Sequence, residues 1–304
     1  MPEPPEADLT RDAIDARAVD HVLRRMALAA EAPWLHREVA QRMAERLPLI
    51  RQPPASWIDW WAHVGGGAAV VQQAYPQARR VVVEPNEALR ARSQARPGRW
   101  WSPRRWSAPA TPVLLSSEVS EASTEMVWAN MMLHACTDMA ATFAQWRRAL
   151  VVDGFVMFST LGPATLSELR ALYVALDMGE PFAPFADMHD IGDLLVHAGF
   201  ADPVMDQELL TLTWSSPAAA LQELRALGGN VHPERRPGLR TPRWRERLLQ
   251  RLEQRLDADG RLAMSFELVY GHAFRPQPRA RVTTTSTLSL SDMRAGLSRG
   301  RAAG

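Results

Sequence analysis

The stretch Ser56-Trp57-Ile58-Asp59-Trp60-Trp61-Ala62-His63-Val64-Gly65-Gly66-Gly67 constrains the fold more than any other part of this 304-residue chain. A short apolar run carries an acid, reaches a glycine cluster and gives way to a helical pattern over 67–75. Arg80-Val81-Val82-Val83-Glu84 then repeats the apolar strand, and a helix is expected from Glu87 to Ala95. Strands turning into helices in succession are the units of a parallel α/β sheet, which implies a doubly wound, Rossmann-like architecture. In such a sheet ligands bind at the carboxyl ends of the strands, where the strand order reverses.

The alternation continues along the chain. Glu125–Ala129 suits a buried strand, 139–150 a helix, and Val151–Ser159 a turn into a strong strand. Helices are expected at 165–177, 187–198, 217–227 and 242–256, interleaved with strands Leu209–Trp214 and Leu262–Phe274. Ahead of the first strand, apolar residues recur at helical spacing over 13–47, and Pro33 should split them into two helices. Residues 1–12 and 276–304 read as loose tails. Residues 13–275 read as one domain with a helical cap over about 163–256, and 96–112, rich in Pro, Arg and Trp, as irregular.

Composition excludes several kinds of chemistry. No lysine is present, so all 35 basic side chains are arginine; Schiff-base chemistry and a P-loop lysine are excluded. Cys136 stands alone, which rules out an intrachain disulfide and a cysteine-cluster metal site and fits a reducing cytoplasm. A net charge of +1 gives no case for a nucleic-acid partner. No apolar run approaches the ~20 residues of a membrane helix. The first residues have no secretory pattern, so a cytoplasmic location is expected.

Candidate site residues follow from strand ends. Asp59 opens the first turn and Glu84 ends the second strand 25 positions later, a spacing that suits the hydroxyls of an adenosine ligand. The competing structural reading is a tight strand–helix turn with Trp60 and Trp61 in the core. Asn130, delivered by the strand before it, either faces the same crevice or starts a turn. His63 and His134 are single imidazoles without a ligand-spaced partner, so no metal site is expected. Asp187 reads as a helix N-cap. Arg235, Arg236, Arg240, Arg243, Arg245 and Arg247 form the densest basic segment, read first as a solvated helix face and otherwise as a face that meets an acidic carrier protein or an anionic substrate.

A family resemblance joins these readings. Phe158-Ser159-Thr160-Leu161-Gly162-Pro163-Ala164-Thr165-Leu166-Ser167-Glu168-Leu169-Arg170, Met188-His189-Asp190-Ile191-Gly192-Asp193-Leu194-Leu195, Leu224-Arg225-Ala226-Leu227-Gly228-Gly229-Asn230 and Leu268-Val269-Tyr270-Gly271-His272-Ala273 resemble the biotin-pathway malonyl-carrier-protein O-methyltransferases, as does Leu35-His36-Arg37-Glu38-Val39-Ala40. Close paralogues include a mitochondrial respiratory complex I assembly factor. The resemblance implies a class I methyltransferase fold, S-adenosylmethionine as cofactor, and a malonyl thioester or acyl carrier protein as partner. It also implies family roles for Asp59 (loop acid), Gly65 (loop glycine), Glu84 (ribose carboxylate) and Asn130 (fourth-strand residue), with no catalytic side chain singled out. The first two loop glycines of that family are replaced by Trp61 and His63, and its N-terminal Tyr-Asp pair, expected after the first helix, is missing where the sequence runs Ala29-Ala30-Glu31-Ala32-Pro33-Trp34. Two functions therefore stay open: carboxyl O-methylation in biotin synthesis, and a catalytically inactive methyltransferase-fold protein acting through interactions or assembly.

Overall fold

The computed structural model describes residues 14–95, 111–236 and 238–278. Both expected tails lie outside these residues, apart from 276–278, and so does most of 96–112. Seven strands form one sheet: β1 (Ser56–Trp60), β2 (Arg79–Glu84), β3 (Val113–Leu115), β4 (Thr124–Ala129), β5 (Leu150–Leu161), β6 (Ala201–Trp214) and β7 (Leu262–Phe274). Their order is β3-β2-β1-β4-β5-β7-β6. The first five are parallel, and β7 runs antiparallel to both β5 and β6. The order reverses between β1 and β4, which sets a crevice beyond the ends of these two strands.

Period-two alternation sorts the apolar residues onto two faces. Ile58, Trp60, Val127 and Phe158 meet one helical layer through Phe143, Trp146, Ile191 and Leu195. Trp57, Met126, Trp128 and Met157 meet the other through Leu35, Val39, Met43 and Val71. The first layer includes α1 (Ala16–Met26), α6 (Met139–Ala149) and α8 (Met188–His197). The second includes α2 (Trp34–Ala44), α4 (Ala68–Ala74), α7 (Ser167–Ala175), α9 (Pro217–Leu227) and α10 (Pro242–Glu253). A further helix, α5 (Glu87–Gln94), follows β2. Pro33 divides α1 from α2, as its missing N–H requires, and caps the start of α2. Asp187 caps α8 by accepting from the His189 N–H at 2.8 Å, as its position suggests.

Three elements differ from the sequence reading. β6 begins at Ala201, eight residues before Leu209. It is an edge strand paired only with β7, so Asp202, Asp206 and Glu208 can occupy it and hide the apolar pattern. β3 is three residues long, too short to show a period. The glycine turn after β1 contains an extra helical turn, α3 (Ala62–Gly65).

A charged clamp fixes α2 to the late strands. Arg42 bridges Glu38 and Glu208, Arg46 pairs with Asp206, and the Arg46 guanidinium lies 4.0 Å from the centre of the Tyr270 ring. The Tyr270 hydroxyl donates to Glu208 at 2.7 Å. α2 is thereby held under the β1–α3 turn, with His36 facing it.

Candidate functional site

The turn after β1 is built without its expected flexibility. Trp61 adopts a left-handed conformation (φ 55°, ψ 48°), and its N–H donates to the Val83 carbonyl at 2.7 Å. Glycine takes that conformation freely, whereas another L-residue there costs about 1–2 kcal/mol. Burial of the indole, 8% exposed, offsets that strain. The chain then closes one helical turn, with the Gly65 N–H on the Trp61 carbonyl at 2.9 Å. Gly67 must lack a side chain, because a Cβ there would lie 2.2 Å from Trp128 Nε1. Gly67→Ala is expected to cost about 1–3 kcal/mol through displacement of the buried Trp128, measured by urea unfolding.

The four candidate residues gather around this turn. Asp59, 1% exposed, accepts from Arg80 Nε at 3.1 Å and Nη2 at 2.6 Å. Burial raises its pKa, and the Arg80 charge opposes the rise. The β1–β2 register sets Arg80 across from Trp57, so its guanidinium reaches past the indole to the acid two residues on. Glu84 is fully buried. Its Oε1 accepts from the His63 N–H at 2.9 Å and the Ser93 hydroxyl at 2.6 Å, while Oε2 has no partner among the described residues. Burial pushes the carboxyl up to about 7.

Asn130 joins three elements. Its amide donates to the His36 carbonyl at 2.7 Å and the Gly65 carbonyl at 2.6 Å, and its oxygen accepts from the Ser159 hydroxyl at 2.7 Å. Gly65 sits so close that a Cβ would touch the Asn130 carbonyl at 3.3 Å. The Asn130 side chain is thus fully engaged with protein, and Asp59 Oδ2 is held by two nitrogens of Arg80.

Two cavities flank the turn. One, of about 320 Å³, lies beyond the strand ends and is lined by Trp60, Pro85, Asn86, Ser116 and Met132 among others. The other, of about 300 Å³, is largely apolar and runs between α1, α7 and α9. Val19, Leu23, Trp61 and Ala135 line both, so the Trp61 indole and one face of α1 form the wall between them.

Two imidazoles face the apolar cavity, a pairing invisible in sequence because 98 positions separate them. His36 Nδ1–H donates to the Val64 carbonyl at 2.7 Å. The His134 ring lies edge-on to it, 6.3 Å between centres, and its Nδ1 has no partner among the described residues. Burial pushes His36 down to about 4 and His134 down to about 3, so both are neutral near pH 7. The described residues contain no group of three metal-ligating side chains. Of the arginine-rich segment, Arg235 pairs with Asp15 at 2.7 Å and Arg240 stacks over Trp244 at 4.3 Å, while Arg236, Arg243, Arg245 and Arg247 are exposed.

Comparison with known proteins adds an independent line. No protein-family model matches the chain. The malonyl-acyl-carrier-protein O-methyltransferase of Gallionella capsiferriformans is 40% identical over 271 residues, covering 88% of this chain and 93% of that protein. The protein of the same name from Laribacter hongkongensis is 40% identical over 262 residues, covering 82% and 86%. Among solved structures, the YcgJ protein of Bacillus subtilis superposes with a TM-score of 0.52 at 8% identity, covering 79% of this chain and 99% of that one. A Bacillus halodurans protein provisionally classed as a methyltransferase gives 0.51 at 12% identity, covering 77% and 99%. At such identities the structural likeness is one of fold.

Proposed function

Because the chain belongs to the malonyl-acyl-carrier-protein O-methyltransferase family and has the class I methyltransferase fold, we propose that it esterifies the free carboxylate of a malonyl thioester with S-adenosylmethionine as donor. The observation that carries the reading is the pair of cavities meeting at Trp61 at the sheet's switch point. A transfer between two bound molecules needs adjoining compartments with a shared wall at the reacting centre.

The donor supplies a methyl group already activated on a sulfonium. The residues present fit its adenosine half: the 320 Å³ crevice spans the ends of β1, β2, β3 and β4, and Glu84 Oε2, at the end of β2, is a buried acceptor without a donor among the described residues. Ribose hydroxyls are such donors. Reaching them requires the α3 turn, whose His63 N–H now caps Glu84 Oε1, to shift. An acceptor carboxylate is a competent nucleophile at neutral pH, so no general base is required. The chain's contribution is then alignment and exclusion of water by the apolar walls. His36 and His134, being neutral, add no positive charge beside a sulfonium.

A specific observation favours a second reading. Glu84 is enclosed by the α3 turn, and Trp61 closes the space between the cavities. A protein of this fold locked in that state would act through interactions alone. Calorimetric titration with S-adenosylmethionine and S-adenosylhomocysteine, followed by mass-spectrometric detection of the malonyl methyl ester, separates the two. Micromolar binding with product supports the methyltransferase. A folded protein with no heat of binding supports the second reading.

The proposed partner is an acyl carrier protein in the cytoplasm; no described helix is long and apolar enough to cross a membrane. Arg243 and Arg247, exposed and one turn apart on α10, suit an acidic carrier. Arg243→Glu with Arg247→Glu is expected to raise KM for the malonyl carrier protein about tenfold and leave KM for a small malonyl thioester unchanged, as read in steady-state kinetics.

A further inference from the structure

The 300 Å³ cavity is lined mainly by apolar side chains, with Tyr173, Asn230, two neutral imidazoles and two charged groups, Arg25 and Arg225; no described acid lines it. Both arginines also line a side cleft of about 140 Å³ that joins the cavity along Met26 and Val64. Arg25 leaves the last turn of α1, and its Nη2 donates to the carbonyls of Arg225 (3.0 Å) and Gly228. Gly229 lets the chain approach: a Cβ there would lie 2.8 Å from Val22 on α1. The guanidinium is thus fastened by backbone at one nitrogen, while Nε and Nη1 have no partner among the described residues. A guanidinium has five N–H donors, and those left over on this half-buried side chain, at the edge of an apolar chamber, suit an anion.

The neighbouring acids are already engaged. Glu31, in the side cleft, binds Arg37 at 2.6 Å. Glu223, on α9, accepts from the indoles of Trp34 and Trp214. Asp15 holds Arg235. Burial lowers the Arg25 pKa, and the like charge of Arg225 lowers it further, with no acid raising it. Arg25 and the exposed Arg225 are like charges with no acid paired to either among the described residues, an arrangement an incoming anion relieves.

We infer that Arg25, positioned by the Gly228-Gly229 backbone and assisted by Arg225, is a carboxylate-binding subsite of the apolar cavity. This rests on the proposed function, in which the acceptor brings a free carboxylate into a chamber walled by Trp61. A phosphate, such as that of a pantetheine arm, shares the chemistry. The carboxylate is favoured because Arg25 lines the chamber that also contains Trp61, where the nucleophile has to be, and because 300 Å³ suits a small acyl group.

The test uses binding, so it does not require turnover. Malonyl-N-acetylcysteamine carries the carboxylate and no phosphate; acetyl-N-acetylcysteamine carries neither; pantetheine 4′-phosphate carries only the phosphate. Arg25→Gln is expected to weaken the malonyl probe about tenfold or more, as for loss of one charge-assisted hydrogen bond, and to leave the acetyl probe unchanged. Arg225→Gln, at an exposed helix position that should not disturb folding, is expected to weaken the malonyl probe about two- to threefold. Malonyl binding by Arg25→Gln equal to that of the parent would overturn the subsite, as would Arg25-dependent binding of the phosphate probe with no response to the malonyl probe. Arg25-dependent malonyl binding without methyl transfer would sustain the subsite and sink the proposed function. Methyl transfer indifferent to Arg25 would do the reverse.

Discussion

Asn130→Ala is expected to lower the unfolding free energy by about 3–5 kcal/mol, enough to remove much of a typical domain's stability. The side chain fills three hydrogen-bonding positions with no exposed surface. Truncation would take one hydrogen bond each from the carbonyls of His36 and Gly65 and release the Ser159 hydroxyl, which also accepts from the Met131 N–H at 3.1 Å. Each buried group left unsatisfied costs about 1–3 kcal/mol. The carbonyls belong to α2 and to the β1–α3 turn, so the loss would uncouple the turn from the sheet. Asn130→Asp, which sets an oxygen against two carbonyl oxygens, should be no better tolerated. Chemical denaturation followed by tryptophan fluorescence checks the value. A loss below 1 kcal/mol would mean that water or a shifted backbone replaces the network.

That network shows what a sequence can and cannot disclose. The strand before Asn130 was legible because its apolar run is buried on both faces, and the strand end then placed Asn130 beyond β4. Its partners were not legible, since His36 lies 94 positions away and meets it only through the packing of α2. The same distinction applies to Asp59 and Glu84. Their places at the ends of β1 and β2 follow from period and spacing. The commitment of Asp59 to Arg80 depends on strand register, and that of Glu84 to the His63 N–H depends on an extra helical turn. With Trp61 where a glycine is expected, no local signal announced a left-handed residue followed by α3. The resemblance supplied the family, which the relatives bear out, while the cavity's lone arginines needed the tertiary structure.

Stability should peak near pH 6.5 and fall by about 3 kcal/mol on going to pH 4.5. The sign comes from three buried groups. His36 and His134 titrate near 4 and 3 in the folded chain, against 6.5 unfolded. Their stabilisation is complete above 6.5 and drains as pH falls, because only the unfolded chain takes up the protons. Each histidine contributes up to about 1.4 kcal/mol per unit. Glu84 acts in the opposite sense: it titrates near 7 folded and 4.5 unfolded, so its stabilisation is complete below 4.5 and is lost as pH rises to 7. Between 4.5 and 6.5 two histidines oppose one glutamate, leaving a net loss of about 1.4 kcal/mol per unit on acidification. Below 4.5 the glutamate drops out and the decline steepens until His36 protonates. His63 and His272, also lowered by burial, act with the histidines, and Asp59, raised by burial, acts with Glu84. Urea unfolding at pH 4.5, 5.5, 6.5 and 8 measures the profile. His134→Leu should flatten its acid limb, and Glu84→Gln should lift stability at pH 8 by about 1–3 kcal/mol while leaving pH 4.5 unchanged. An acid limb unaltered by His134→Leu would show that this imidazole takes up its proton within the folded chain, which would in turn set a cation beside the proposed donor.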